Sequence, residues 1–339
     1  MKRHICGTMV LLGVVLGSFC SAQAGLLGVA GEYNIFMFDD IYQTGTDVEG
    51  RVAGGGDVFY GRSPISGEKL EDVGFAVASK ITNPTASLPD LVAGGNLELK
   101  NGSVGDKNSQ KGLIYAGGPT INIGSNPGVD KVGYGALLEN NPINFASEQK
   151  FLTNVSSSWG GLSANGSTEV LYNLGNTGKD TYRINLTGSD PSLNVFTLDG
   201  RSIDGGLGFY INAPVTSTIL VNITGDSINL NNLGFYFNGI KGDQDQYPNS
   251  NILFNFLTAQ LITIDQVEIN GSILAPFAHV DFLKNSHIDG NLIAYSLFGE
   301  GEAHMELFQG RVPVSESATW ILLGGGLMGI AALRRRMRA

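Results

Sequence analysis

A short glycine-centred block returns along this chain at intervals close to twenty residues, and that repetition limits the possible folds more than any other feature. Val48-Glu49-Gly50-Arg51-Val52-Ala53, Ile269-Asn270-Gly271-Ser272-Ile273-Leu274-Ala275 and Ile288-Asp289-Gly290-Asn291-Leu292-Ile293-Ala294 share one pattern, and the last two lie 19 residues apart. A second block, Ala-Gly-Gly followed by alternating apolar residues, stands at Ala53-Gly54-Gly55, Ala93-Gly94-Gly95 and Ala116-Gly117-Gly118, the last pair 23 residues apart. A period near twenty is what one coil of a β-solenoid needs. Glycine and alanine let the chain bend tightly at coil corners, and Ala53, Ala93, Ala116, Ala275 and Ala294 are expected at comparable inward corners. Ordinary glycine-rich hairpins would also use these residues, but hairpins need not repeat whereas coils do. The expected fold is mainly β, a single β-solenoid (β-helix) over residues 25–311.

Local signals agree. Short apolar or alternating runs predict strands at Tyr33–Phe38, Tyr182–Leu186, Ser192–Leu198, Ser217–Ile223, Gly234–Phe237, Ile252–Phe256 and Leu261–Ile264. Turn dipeptides punctuate them at Asn101-Gly102, Asn165-Gly166, Asp199-Gly200, Asn238-Gly239, Asn270-Gly271 and Asp289-Gly290. One segment departs from the pattern. Asn141-Pro142 reads as an N-cap followed by proline at the first helical position, and Phe145, Leu152, Val155 and Trp159 recur at helical spacing. An amphipathic helix over 142–157, packed on the solenoid, is expected.

The two ends read as addresses. Lys2, Arg3 and His4 precede an apolar run from Ile5 to Phe19, and Ala22-Gln23-Ala24 is a small-residue cleavage site, so a signal peptide over 1–24 with a mature start at Gly25 is expected. At the other end Val312-Pro313 opens a polar segment. A 16-residue apolar run, Ala318 to Leu333 and including Trp320, follows, and Arg334, Arg335, Arg336 and Arg338 close the chain. As a helix the run would span ~24 Å, a little under a ~30 Å hydrocarbon core. The arginines would stay on the cytoplasmic side and leave the body of the protein outside.

Both cysteines, Cys6 and Cys20, would depart with the signal peptide, which excludes disulfides and thiol chemistry from the mature chain. Removing the two ends takes away six basic residues and one acidic residue, leaving 15 basic and 30 acidic residues and a net charge of −15. Such a surface repels nucleic acid and anionic lipid, and nucleic acid is not an expected partner.

With these elements placed, the blocks Leu27-Gly28-Val29-Ala30-Gly31-Glu32-Tyr33-Asn34-Ile35-Phe36, Asp47 to Gly56, Gly271-Ser272-Ile273-Leu274-Ala275-Pro276-Phe277-Ala278 and Gly299-Glu300-Gly301-Glu302-Ala303-His304 together resemble the choice-of-anchor A family. The resemblance spans about residues 26 to 310 and implies an extracellular, adhesive domain joined to a surface-attachment signal. The layout of repeats plus one helix also resembles ice-binding-type β-solenoids, a likeness of fold alone. The tail, 312–339 with its helix 318–333, resembles a PEP-CTERM sorting signal, which implies signal peptidase and exosortase-type processing. It departs from that pattern at Pro313-Val314-Ser315-Glu316-Ser317, where the second proline is missing.

Chemistry-bearing candidates are few. His279 and Asp281 share one strand face, as do His287 and Asp289. Two His-x-Asp pairs eight residues apart could meet across a turn around a divalent metal. Asp243 and Asp245 sit in an oxygen-rich loop that could hold calcium weakly, although Pro248 and Phe254 occupy the positions where a calcium loop needs glycine and glutamate. Glu300, Glu302 and Glu306, or Asp199, Arg201 and Asp204, are the groups an enzyme on this scaffold would use. No run of three threonines recurs at the 19- or 23-residue period, as an ice-binding ladder would require. The expectation is an exported cell-surface or matrix protein, held transiently in the membrane, that binds extracellular polysaccharide or another surface without catalysis and without an obligatory cofactor. The alternative is a polysaccharide lyase or hydrolase on the same solenoid.

Overall fold

The computed structural model describes residues 25–61, 74–106, 108, 111–124, 131–172, 182–204, 208–242, 244 and 246–313. The expected signal segment with Ala22 and Ala24, the apolar run 318–333 with Trp320, Arg334, Arg335 and Arg336, and the pair Asp243 and Asp245 lie outside these residues.

Three faces of mostly parallel strands wrap one core. The first face is formed by Ile35–Met37, Val52–Gly54, Leu91–Ala93, Leu113–Ala116 and Ala136–Leu138, continued by Leu193–Asp199, Thr218–Thr224, Ile252–Phe256 and the leading parts of Ser272–Phe282 and Leu292–Gly299. The second carries Ile41–Gln43, Val58–Tyr60, Leu97–Leu99, Ile121–Ile123, Ser227–Asn231, Leu261–Asp265 and the trailing parts of the two long strands. The third carries Thr46–Val48, Phe75–Val77, Gly102–Val104, Glu268–Asn270, His287–Asp289 and Glu302–His304, among others. Alternation sends Ile35, Val52, Leu91, Ile273 and Leu292 inward, where all are fully buried. Each such side chain contributes about 1.5–3 kcal/mol of burial.

The coils are not stacked in chain order. Ile35–Met37 pairs with Val52–Gly54 on one side and with Leu292, Ile293 and Ala294 on the other. The chain therefore starts in the middle of the solenoid and winds outward to Ala136–Leu138. It returns along the first face as a helix, restarts at the far end, and winds back until the last coil meets the first. Buried amides staple this seam. Asn34 Nδ2 donates to the carbonyls of Gly290 and His304, both at 2.7 Å, while its Oδ1 accepts the Gly50 N–H at 2.8 Å. Asn291 Nδ2 donates to the Tyr33 carbonyl at 2.7 Å, and Gln43 Nε2 to that of Gly301 at 3.0 Å.

Two expectations need correction by a few residues. The helix spans Phe145–Gly160, and its cap is Asn144, whose side chain accepts the Ser147 N–H at 3.0 Å. Asn141 instead makes an Asx turn to the Ile143 N–H, which leaves Pro142 outside the helix. Among the repeats, Ala93, Ala116, Ala275 and Ala294 share one inward register position with Met37 and Gly54. Ala53 is one place off, paired with Phe36 and Val92 on the outward side. A slip of one residue exchanges the two sides of a strand.

The outward side of the first face is not wet. Leu152, Val155 and Trp159 of the helix are fully buried against Phe36, Ala53, Val92, Leu220, Leu253, Leu274 and Ile293. Burial on both sides explains why these strands read as continuous apolar runs. Near the helix C-terminus the contact turns polar. Asn255 accepts from Ser156 Oγ at 2.6 Å and donates to the Ser156 carbonyl and to Asn222 Oδ1, and Asn222 donates to the Trp159 carbonyl at 2.8 Å. Of the turn dipeptides, Asn238-Gly239 makes a two-residue hairpin. Both residues have positive φ, 49° and 85°, and they join Phe237 to Ile240 in an antiparallel pair.

Candidate functional site

With the first face covered by the helix, the second and third faces present side chains to solvent. On the second face, register aligns Asn122, Glu98, Phe59, Tyr42, Phe298, Asp281, Thr263 and Asn229 into one outward column. Its centre is aromatic. The Tyr42 ring stacks on Phe59 at 4.7 Å and on Phe298 at 5.4 Å between centroids. The stack runs along the solenoid axis, so ring edges form an apolar ridge. Lys100 Nζ lies 5.8 Å from the Phe59 centroid and pairs with Glu98, closing one end. At the other end Phe298 is 43% exposed and has polar neighbours in Asp281, His279 and Ser296. Thr263 is the single threonine of this column, so the face carries no regular hydroxyl array.

On the third face, strands His287–Asp289 and Glu302–His304 lie side by side with Asp289 opposite His304. The ligand atoms of His287, Asp289 and His304 all lie within 4.8 Å of one another. Asp289 Oδ1 meets His304 Nδ1 at 2.7 Å, while Asp289 Oδ2 accepts from Asn270 at 3.0 Å and from Asn249 at 3.4 Å. The hydrogen bond to Asp289 raises the His304 pKa above its ordinary value, helped by the charges of Glu49 and Glu302 and opposed by burial. Glu268 stands 3.5 Å from His287 Nε2, and that contact holds its carboxyl below the usual range. Burial pushes Glu49 up, but hydrogen bonds from Lys80 and the Met305 N–H outweigh it and leave the group lowered.

The two His-x-Asp pairs do not come together. His279 and Asp281 do share a face, 3.3 Å apart, but it is the second face, whereas His287 and Asp289 are on the third. The turn between them carries the chain round a corner of the solenoid. His304, 15 residues from Asp289, is the partner that sequence spacing missed. One coil between the two residues was the available signal. Of the remaining acidic candidates, Asp199 pairs with Arg201 at 2.8 Å, Asp204 accepts from Asn229, and Glu300 accepts from Thr44. Gly25, Val312 and Pro313 line one cleft beside the helix, and the Trp159 indole N–H donates to the Pro313 carbonyl at 3.2 Å. Both ends of the domain thus emerge on the helix-covered side. Among the described residues no helix is long and apolar enough to cross a membrane.

Residues 26–305 match the model of the family described as "Putative Ice-binding-like adhesive domain". Among solved structures, a glycosylated ice-binding protein from an Arctic yeast is similar at 14% identity, with 86% of this chain and 97% of that chain covered and a TM-score of 0.33. The ice-binding protein domain of Shewanella frigidimarina is similar at 14% identity, with 84% and 97% covered and a TM-score of 0.29. The comparison with curated proteins gives no match.

Proposed function

Since the chain belongs to the ice-binding-like adhesive domain family, we propose that it is a non-catalytic surface adhesin whose second face holds extracellular polysaccharide. The observation that carries this reading is the Phe59–Tyr42–Phe298 ridge. Stacked rings, Phe298 exposed and Tyr42 and Phe59 half-buried, flanked by carboxylate, amide and hydroxyl groups suit the mixed surface of a sugar chain, with its apolar C–H patches and its hydroxyl rim. Aromatic edges and charges suit ice poorly, and the ridge occupies the centre of the column.

The tether fits the same picture. Read as a choice-of-anchor A protein with a sorting signal, the chain would be exported, held by the segment 318–333 and processed near Val312–Ser317. Attachment beside the helix would leave the second and third faces free, because Gly25 and Pro313 share one cleft. Mass spectrometry of the exported product tests the processing step. A product still carrying Trp320 would replace it with a simple membrane anchor.

For the ridge, the test is co-sedimentation of the full chain, purified in detergent, with insoluble bacterial polysaccharide. Tyr42→Ala and Phe298→Ala are each expected to weaken retention about tenfold. Retention unchanged in both variants would overturn the reading. Release of reducing ends that stops in Glu302→Gln would replace it with the enzyme alternative.

A further inference from the structure

We propose that His287, Asp289 and His304 form a binding site for one divalent transition-metal ion of the zinc class, placed across the last two coils of the solenoid. Parallel register does the positioning. Asp289 and His304 are directly opposed, and His287 precedes Asp289 by two residues on the same side. Ligand atoms already within 4.8 Å of one another need only small side-chain rotations to share an ion bound at about 2.0–2.2 Å.

The surroundings suit a cation. Asn270 and Asn249 hold one oxygen of Asp289 and leave the other directed at His304, an arrangement that orients a carboxylate ligand from behind. Glu268 and Glu49 add negative charge close by. A separate observation points the same way. The Tyr247 hydroxyl is without a hydrogen-bond partner on a side chain only 8% exposed, and it lies near enough to Asp289 and Glu268 to feel both charges. Asn249 Oδ1 is buried and unpartnered beside it. Buried polar atoms seldom lack partners, and a bound ion with its water would supply them.

The donor set selects the metal. Two imidazoles and a carboxylate favour zinc and its neighbours, whereas calcium wants about six to eight oxygens. The site's outer side is open, with His287 and His304 each about one-third exposed, so water or a ligand oxygen can complete the coordination. Its place gives it a role. Strand Glu302–His304 is the one that meets Thr46–Val48 of the first coil, so the ion would brace the seam that closes the molecule. The proposal is independent of the polysaccharide reading, which rests on a different face.

The test is calorimetric titration of zinc into the untagged full chain in detergent, after treatment with chelator and its removal. One zinc per chain is expected, with a raised melting temperature, and neither calcium nor magnesium should substitute. Cobalt should give visible absorption bands when bound. His287→Ala and His304→Ala should each weaken zinc about 10- to 100-fold. His279→Ala, on the second face, should not. Asp289→Asn, where it folds, should weaken zinc likewise, and the two histidine variants, whose side chains are more exposed, decide the matter otherwise. Absence of zinc uptake by the folded chain, or uptake undiminished in both histidine variants, would overturn the proposal.

Discussion

The two halves of this solenoid turn their corners by different means. In the N-terminal half the first-face strands are three or four residues long, and Val52–Gly54, Leu91–Ala93 and Leu113–Ala116 stop at glycines. Gly55, Gly94 and Gly117 stack there, backbone on backbone, with the Gly94 N–H donating to the Gly54 carbonyl at 2.8 Å and the Gly117 N–H to that of Ala93 at 3.0 Å. In the C-terminal half the corresponding strands run five to eleven residues, and Ser272–Phe282 carries Ala275-Pro276-Phe277-Ala278 round the corner within one strand. The same solenoid can thus be built from corners that exclude side chains or from corners that carry them. The first kind is intolerant of substitution, and the second leaves room for variation.

The sharpest way to break that comparison is Gly94→Ala. A Cβ at Gly94 would overlap the Gly55 carbonyl oxygen, which is backbone and cannot swing aside. A loss of about 3 kcal/mol is expected in denaturant unfolding, whereas Phe277→Ala, 42% exposed at the equivalent corner of the other half, should cost well under about 1 kcal/mol. Equal losses would show that the corners do not differ as described.

The next effect concerns the residues just before the first-face strands. Register puts Asp90, Arg51, Asn34 and Asn291 in one column across the seam. At the seam the position is filled by amides whose hydrogen bonds are made. Asn34→Ala should cost about 2–3 kcal/mol because it strands three backbone groups. In the N-terminal half the same column holds charges, and Asp90 Oδ1 and Arg51 Nε are buried without partners. Burial, opposed by the Leu113 N–H bond and by Arg51, raises the Asp90 pKa to about 6 from an ordinary 3.8. The folded state then holds this proton more tightly than the unfolded chain. This group therefore costs stability as pH rises from about 4 through 6. After allowance for screening the loss is about 1–2 kcal/mol, and Asp90→Asn should flatten it. A wild-type profile that is already flat over that range would contradict the assignment.

The smallest effect on stability is expected where the effect on adhesion is largest. Phe298→Ala should shift unfolding by less than about 1 kcal/mol, since the ring is 43% exposed, while weakening retention on polysaccharide.

These particulars also show what the residues could disclose beforehand. The repeats spoke for coils, and the spacing of Leu152, Val155 and Trp159 spoke for a helix against them, because both patterns are local. The order of the coils was not legible. A repeat identifies a coil without saying which coil it lies against, and Phe36 gives no sign that Ile293 is its neighbour. The same limit hid the ridge, since Tyr42 and Phe298 are paired only through that order. His304 was within reach of the repeat logic at one coil from Asp289, but its role needed the register. Ala53 misled for the converse reason. Its Ala-Gly-Gly resembles the later blocks, yet Gly54 is the residue that stands where they have alanine.

The central claim is that the first coil closes on the last. Asp39 and Tyr295, 256 residues apart, face each other across the seam, with the Asp39 N–H donating to the Tyr295 carbonyl at 2.8 Å. Asp39→Cys/Tyr295→Cys, made in a chain with Cys6 and Cys20 replaced by serine, should form an intrachain disulfide on mild oxidation and migrate faster on a non-reducing gel. Asp39→Cys/Val215→Cys, with the second thiol placed in the far half, should not. Failure of the first pair to cross-link in folded protein would contradict the closed seam and with it the pairing of Tyr42 with Phe298 on which the aromatic ridge depends.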